Sequence, residues 1–175
     1  LQHIRFFEKK TDGLSIEIFN VSKQINRIER EPDLFNRIVE TMVESDAVIW
    51  SFPVYYALVP SQQKRFIELM YERCPAGMFN GKFTTSFTTS IRFLDHTAHN
   101  YMQGVCEELG FSYIRSYSAH MEDFFHSDDR RNMLSFFKWF TAMVDNQVPV
   151  EKKYQIKRSA PVVYEPGTIA PGMDK

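Results

Sequence analysis

The sequence predicts an α/β domain built on an open parallel sheet with helices on its faces. Three observations carry this expectation. A short apolar run rich in β-formers, residues 46–52, is too short for a helix and reads as a buried parallel strand, and the Thr- and Phe-rich run 82–89 reads as a second strand. Each run leads through a loop into a segment with the apolar spacing of a helix. Stops at Phe52-Pro53, Cys74-Pro75-Ala76-Gly77 and Asn80-Gly81 punctuate these units.

In chain order, residues 1–9 read as the end of an amphipathic helix with Leu1, Ile4 and Phe7 on one side, closed at Asp12-Gly13. Residues 14–19 alternate with period two and predict a strand at a sheet edge. Residues 21–32 are polar and compatible with a helix. Asp33 is placed to cap a helix whose stripe is Phe35, Ile38, Val39, Met42 and Val43. The strand over 46–52 stops at Pro53, which removes a ladder donor and restrains the residue before it. After Tyr55 and Tyr56, Pro60-Ser61 opens a helix with Phe66, Ile67, Met70, Tyr71 and Cys74 on one face.

The strand over 82–89 is heavy in Thr and Phe. Asp95 is a suitable N-cap for a helix through Leu109, with Tyr101, Met102, Val105 and Cys106 inward and Gly110 closing it. Residues 111–118 predict the last strand and 120–127 a loop. The final helix spans 128–146, apolar on Leu134, Phe137, Phe140 and Val144. Beyond Val148, Pro149, Pro161, Pro166 and Pro171 interrupt every candidate element. The expected organisation is one domain over 1–147 and an extended arm or linker over 148–175.

A chain of 175 residues has room for one ordinary core. A net charge of −1 and a pI near 6.6 argue against a nucleic-acid surface. No apolar stretch approaches the roughly 20 residues of a membrane span, and no signal-peptide pattern opens the chain. The two cysteines, Cys74 and Cys106, lie on apolar helix stripes and read as reduced thiols of a cytoplasmic protein. His96 and His99 share a helix face, but a metal needs three or four convergent donors and spacing places only two. No G-x-S-x-G elbow or P-loop lysine motif is present.

The stretch Asp46-Ala-Val-Ile-Trp-Ser-Phe-Pro-Val-Tyr-Tyr56, with Val59-Pro60 and Lys64 after it, resembles the second flavin loop of the NAD(P)H-dependent FMN reductases. A second block, Gly81 to Ile91 followed by Asp95-His96-Thr97-Ala98-His99-Asn100-Tyr101, resembles that family's next strand and flavin-facing loop. The blocks fall in the family's order, and the resemblance covers most of residues 1–146. It implies a flavodoxin-like three-layer sandwich with parallel strand order 2-1-3-4-5. It also implies a central first strand and a phosphate-holding Ser/Thr-rich loop ahead of the first helix. Neither lies in the sequence, so both are expected upstream of Leu1. The iron–sulfur branch of the group carries a close-spaced cysteine cluster after residue 20; here Gln24, Asn26 and Arg27 stand there, and a cluster needs about four thiolates.

The resemblance implies FMN as cofactor and NAD(P)H as co-substrate, with hydride or electrons passed on in ping-pong fashion to a quinone-like or other small or protein acceptor. The expected cofactor-binding residues are Pro53, Val54, Tyr55 and Tyr56 in the first loop and Thr89, Ser90, Ile91 and Arg92 in the second, with Thr88 at its edge. No catalytic side chain is named, because the flavin carries the chemistry. Tyr55 and Tyr56 have a competing reading as core residues under the next helix, and Arg92 as a solvated side chain. The group's habits also imply a homo-oligomer. Two alternatives remain: a one-electron carrier, which the balanced charge fits poorly, and a binding or assembly domain without cofactor.

Overall fold

The computed structural model describes residues 2–91 and 94–154. The first helix, α1 (Gln2–Lys10), buries Ile4 and Phe7 and ends at Gly13, whose φ of 74° suits glycine. Helices α2 (Val21–Arg30) and α3 (Pro32–Glu44) follow with one residue between them. Pro32 occupies the first helical position of α3, where its missing N–H costs nothing. Asp33 therefore sits in the first turn and not at the cap, which is Glu31.

Strand β1 (Ala47–Pro53) leads to α4 (Ser61–Arg73), β2 (Phe83–Ser90) to α5 (Asp95–Leu109). The expected last strand is divided into β3 (Ser112–Tyr113) and β4 (Tyr117–His120), both parallel to β2. A 3-10 turn at Asp123–Phe125 and helix α6 (Ser127–Asp145) close the domain. The sheet order β1-β2-β3/β4 is parallel throughout and reproduces the 3-4-5 half of the expected order.

Residues 14–19 form no strand. Their alternation is nevertheless physical: Leu14, Ile16 and Ile18 pack on the core with Ala47 and Ile49, while Ser15 and Glu17 are exposed. Period two fixes which face is buried, but a strand also needs a ladder partner, and among the described residues β1 pairs with β2 alone.

Two apolar cores flank the sheet. One joins α2, α3, α4 and α5 through Ile28, Phe35, Ile38, Phe66, Met70 and Met102. The other joins α1 and α6 through Phe7, Met133, Phe137 and Phe140, with Phe7 and Phe137 stacked at 4.4 Å. This is a three-layer sandwich. The two cores divide β2 by parity. Phe83 and Phe87 face α1 and α6, whereas Thr84, Ser86, Thr88 and Ser90 turn to the α5 side, buried. That explains the Thr/Phe composition of the strand.

After α6 the chain crosses to the opposite layer. Val150 still packs on the α1/α6 core, but the amides of Lys153 and Tyr154 donate to the carboxylate of Glu107 on α5 at 3.1 and 2.6 Å. The described part of the arm thus docks on its own domain; residues 155–175 lie outside the described residues. Cys106 is buried, Cys74 half-buried, and both are free thiols.

Candidate functional site

Three loops leave the carboxyl ends of adjacent strands. Pro53 is opposite Thr89 in the β1–β2 register, and Ser90 is opposite His120 in the β2–β4 register. The Val54 amide donates to Thr89 O at 3.0 Å, and the Met121 amide to Ser90 O at 3.1 Å. These bonds carry the strand pairing just past the strand ends, so the chain leaves the three strands side by side at residues 54, 91 and 121. Strand ends of an open α/β sheet are where such folds bind ligands.

The first loop turns tightly. Tyr55 and Leu58 exchange both backbone hydrogen bonds at 3.1 Å, leaving Tyr56 and Ala57 as the central pair of a two-residue turn. Both have positive φ, 44° and 66°. Such a turn ordinarily takes Asn-Gly, so side chains here stand in a region that L-residues avoid. Tyr55 is 63% exposed and Tyr56 fully exposed, which removes the reading of either as core. Neither central residue contributes an amide to the turn's own ladder.

The second loop follows β2. The Ser90 hydroxyl lies 2.7 Å from both carboxylate oxygens of Asp95, a residue 7% exposed. Thr88 Oγ1 lies 3.2 Å from His99 Nε2. These two hydroxyls therefore hold α5 against the sheet. Thr89 points to the other face and its carbonyl receives the Val54 amide. Ile91 is exposed, and Arg92 lies outside the described residues. With Leu94, Met121 and Phe125 also exposed, the three loops present a crown of apolar side chains around the strand ends.

Behind the loops sits a buried polar network that the sequence did not disclose. His99 Nδ1 meets Ser86 Oγ at 2.8 Å, and its Nε2 meets Ser118 Oγ at 2.8 Å as well as Thr88. Ser86 also bonds the Tyr113 hydroxyl. Burial pushes the imidazole below its ordinary value, with Asp95 opposing, so His99 is neutral near pH 7. His99 thereby ties α5 to β2 and β4. Its spacing signal existed: it shares the inward face of α5 with Asp95 and Met102, and a histidine there requires polar partners. His96 is exposed, and among the described residues no three His, Cys, Asp or Glu side chains converge as a metal site. Thr97, Met121 and Phe125 were likewise missed; nothing in spacing distinguishes them from ordinary loop and helix residues.

A family model for NADPH-dependent FMN reductase matches residues 3–126. Among solved structures, the apo form of NADH:FMN oxidoreductase EMOB is similar at 16% identity, covering 81% of this chain and 78% of that one with a TM-score of 0.62. FerB, an NAD(P)H:(acceptor) oxidoreductase from Paracoccus denitrificans, is similar at 15% identity over 82% and 88% of the two chains, TM-score 0.64. An NADPH-quinone reductase from P. pentosaceus is similar at 13% identity over 80% and 89%, TM-score 0.57. At these identities the structural likenesses establish a flavodoxin-like fold. No curated protein matches by sequence.

Proposed function

Because the chain belongs to the NADPH-dependent FMN reductase family, we propose that its strand-end crown holds FMN and that the electrons pass to a small quinone-like acceptor. The chain is an NAD(P)H-dependent FMN reductase-like oxidoreductase, with FMN as cofactor and NAD(P)H as donor. Held there, FMN would supply the hydride and electron transfer between the nicotinamide and the acceptor. The one observation that supports placing it here is the exposure of Tyr55 and Tyr56 on a strained turn at the sheet's carboxyl edge.

The residues fit such a group. A planar ring needs apolar faces to cover it and polar groups at its rim. Tyr55, Tyr56, Ile91, Leu94, Met121 and Phe125 supply the apolar surface. The amides of Val54 and Tyr55 are engaged with Thr89 O and Leu58 O, so their part is to fix the loop. Donors to the ring's rim fall to the backbone of Tyr56, Ala57 and the 89–91 stretch, and Pro53 stiffens the approach. Arg92 completes the proposed set as a partner for a ligand phosphate.

Small hydrophobic acceptors suit the same crown, since the nucleotide and the acceptor would use one apolar opening in turn. The quinone reductase relative supports this choice. The chain is proposed to act as a homo-oligomer, which would cover the part of the crown that a single ligand leaves open. The test is titration of FMN into the full chain and into Tyr55→Ala and Tyr55→Phe. Loss of one stacking face weakens binding by about 1–3 kcal/mol, while Phe retains most of it. Wild-type affinity in both Tyr55→Ala and Tyr56→Ala would remove the tyrosines from the site.

A further inference from the structure

Three residues of the two candidate ligand loops are held in the left-handed region without being glycine: Tyr56, Ala57 and Leu94, at φ 44°, 66° and 56°. Each stands in a conformation that L-residues avoid, because it brings Cβ too close to the following carbonyl oxygen. Such strain persists only where surrounding contacts over-determine it. The reciprocal Tyr55–Leu58 bonds close the turn but leave its orientation unspecified. Leu94, the residue before the first turn of α5, has no side-chain cap bond of its own.

One hydroxyl meets both strained stretches. Thr97 Oγ1 lies 2.5 Å from Ala57 O and 2.6 Å from Leu94 O, and the Thr97 amide donates to Leu94 O at 3.1 Å. A single proton shared between two carbonyls is a three-centre bond, and it joins the tip of the first loop to the end of the second. Thr97 is in turn held on α5, whose next turn is pinned to the sheet by His99 and whose start is pinned by Asp95 and Ser90.

We propose that Thr97 is the positioning residue of this site: its hydroxyl holds the Tyr56–Ala57 turn against the start of α5, so that the exposed tyrosine rings are preset for the ligand. The inference rests on the flavin reading above for the identity of that ligand. Thr97 itself touches only backbone carbonyls. Removing its hydroxyl frees the turn to relax towards negative φ, and the rings lose their preset direction. Glycine at position 57 adopts positive φ without cost, so an Ala57→Gly chain needs the hydroxyl much less.

The test compares the full chain with Thr97→Val, Thr97→Ser and both valine and serine changes in an Ala57→Gly background. Without any flavin, amide hydrogen exchange at Tyr55 and Leu58 should quicken about tenfold in Thr97→Val and stay near wild type in Thr97→Ser. FMN affinity should fall about tenfold in Thr97→Val, recover in Thr97→Ser, and depend little on residue 97 when glycine stands at 57. Unchanged exchange at those amides in Thr97→Val would overturn the positioning role. So would an equal loss of affinity in the alanine and glycine backgrounds, because Thr97 would then act by another route. Quickened exchange in a chain whose wild type binds no FMN would overturn the flavin reading and leave the turn's support standing.

Discussion

His99 is a single buried side chain that bears on both the geometry and the acid sensitivity of this domain. It bonds Ser86 and Ser118 at 2.8 Å and so couples α5 to two strands. Burial holds its imidazole below the ordinary value of about 6.5. The unfolded chain therefore takes up the proton first as pH falls, and stability rises with pH wherever the unfolded state binds more protons. Stability from this group is complete above about pH 6.5 and declines as pH drops toward the folded-state value. His3, packed against Phe124 and lowered to about 4 chiefly by burial, adds to the same decline. Urea midpoints should therefore fall between about pH 7.5 and 5. His99→Gln, which cannot protonate, should show a shallower dependence on a lower baseline. An unchanged slope would assign the acid sensitivity elsewhere.

Among the elements, α5 is the one on which the rest converge. Its start carries Asp95 and Thr97 to the loops, its middle carries His99 to the sheet, and its end carries Glu107 to the arm. Gly110 ends it at φ 105°, where an added Cβ would stand 2.4 Å from Asn80 Oδ1. Glu107 is 1% exposed and accepts from Gln103 Nε2, the Lys153 amide and the Tyr154 amide. A buried carboxylate with three donors depends on them for its solvation. Glu107→Gln turns one acceptor into a donor facing an amide, and should cost about 1–3 kcal/mol in thermal or urea unfolding. The same change should raise hydrogen exchange at Lys153 and Tyr154 well above that at Cys106, which lies in the same helix. Uniform exchange across both would mean the arm unfolds only with the whole domain. On the opposite face, Phe137→Ala removes the ring stacked on Phe7 and should cost about 3–5 kcal/mol.

At the scale of the whole molecule, periodicity made the layers legible and little beyond them. Phe35, Ile38 and Val39, and later Phe137, Phe140 and Val144, lie at helical spacing because each helix has one buried face, and they are core in the structure. The junction near Pro53 was legible because proline brings no ladder donor, although Pro53 still lies in β1 opposite Thr89 and the Val54 amide carries the pairing one residue further. The alternation of 14–19 identified the buried side chains, but pairing is a relation between segments and cannot be read from one of them. The division of the last strand at 114–116 left no compositional trace. Neither did the Thr97 bridge, which joins residues 40 apart. Aromatic loop residues carried the site's location, yet only the φ values at Tyr56 and Ala57 show how that loop is held. The exposed crown also bears on assembly: sedimentation should find a homo-oligomer, and a change at the crown such as Phe125→Asp should shift it toward the single chain. A monodisperse single chain before the substitution would contradict that expectation.

The central claim is that this chain carries electrons from a reduced nicotinamide through FMN. The most direct measurement is anaerobic mixing of the FMN-loaded full chain with NADH or NADPH while the visible flavin absorbance is followed. One or both nucleotides should bleach the bound flavin completely, and a small quinone added afterwards should restore the colour. A bound flavin that keeps its colour with either nucleotide, yet bleaches with a chemical reductant, would contradict the claim and leave a carrier in place of an enzyme.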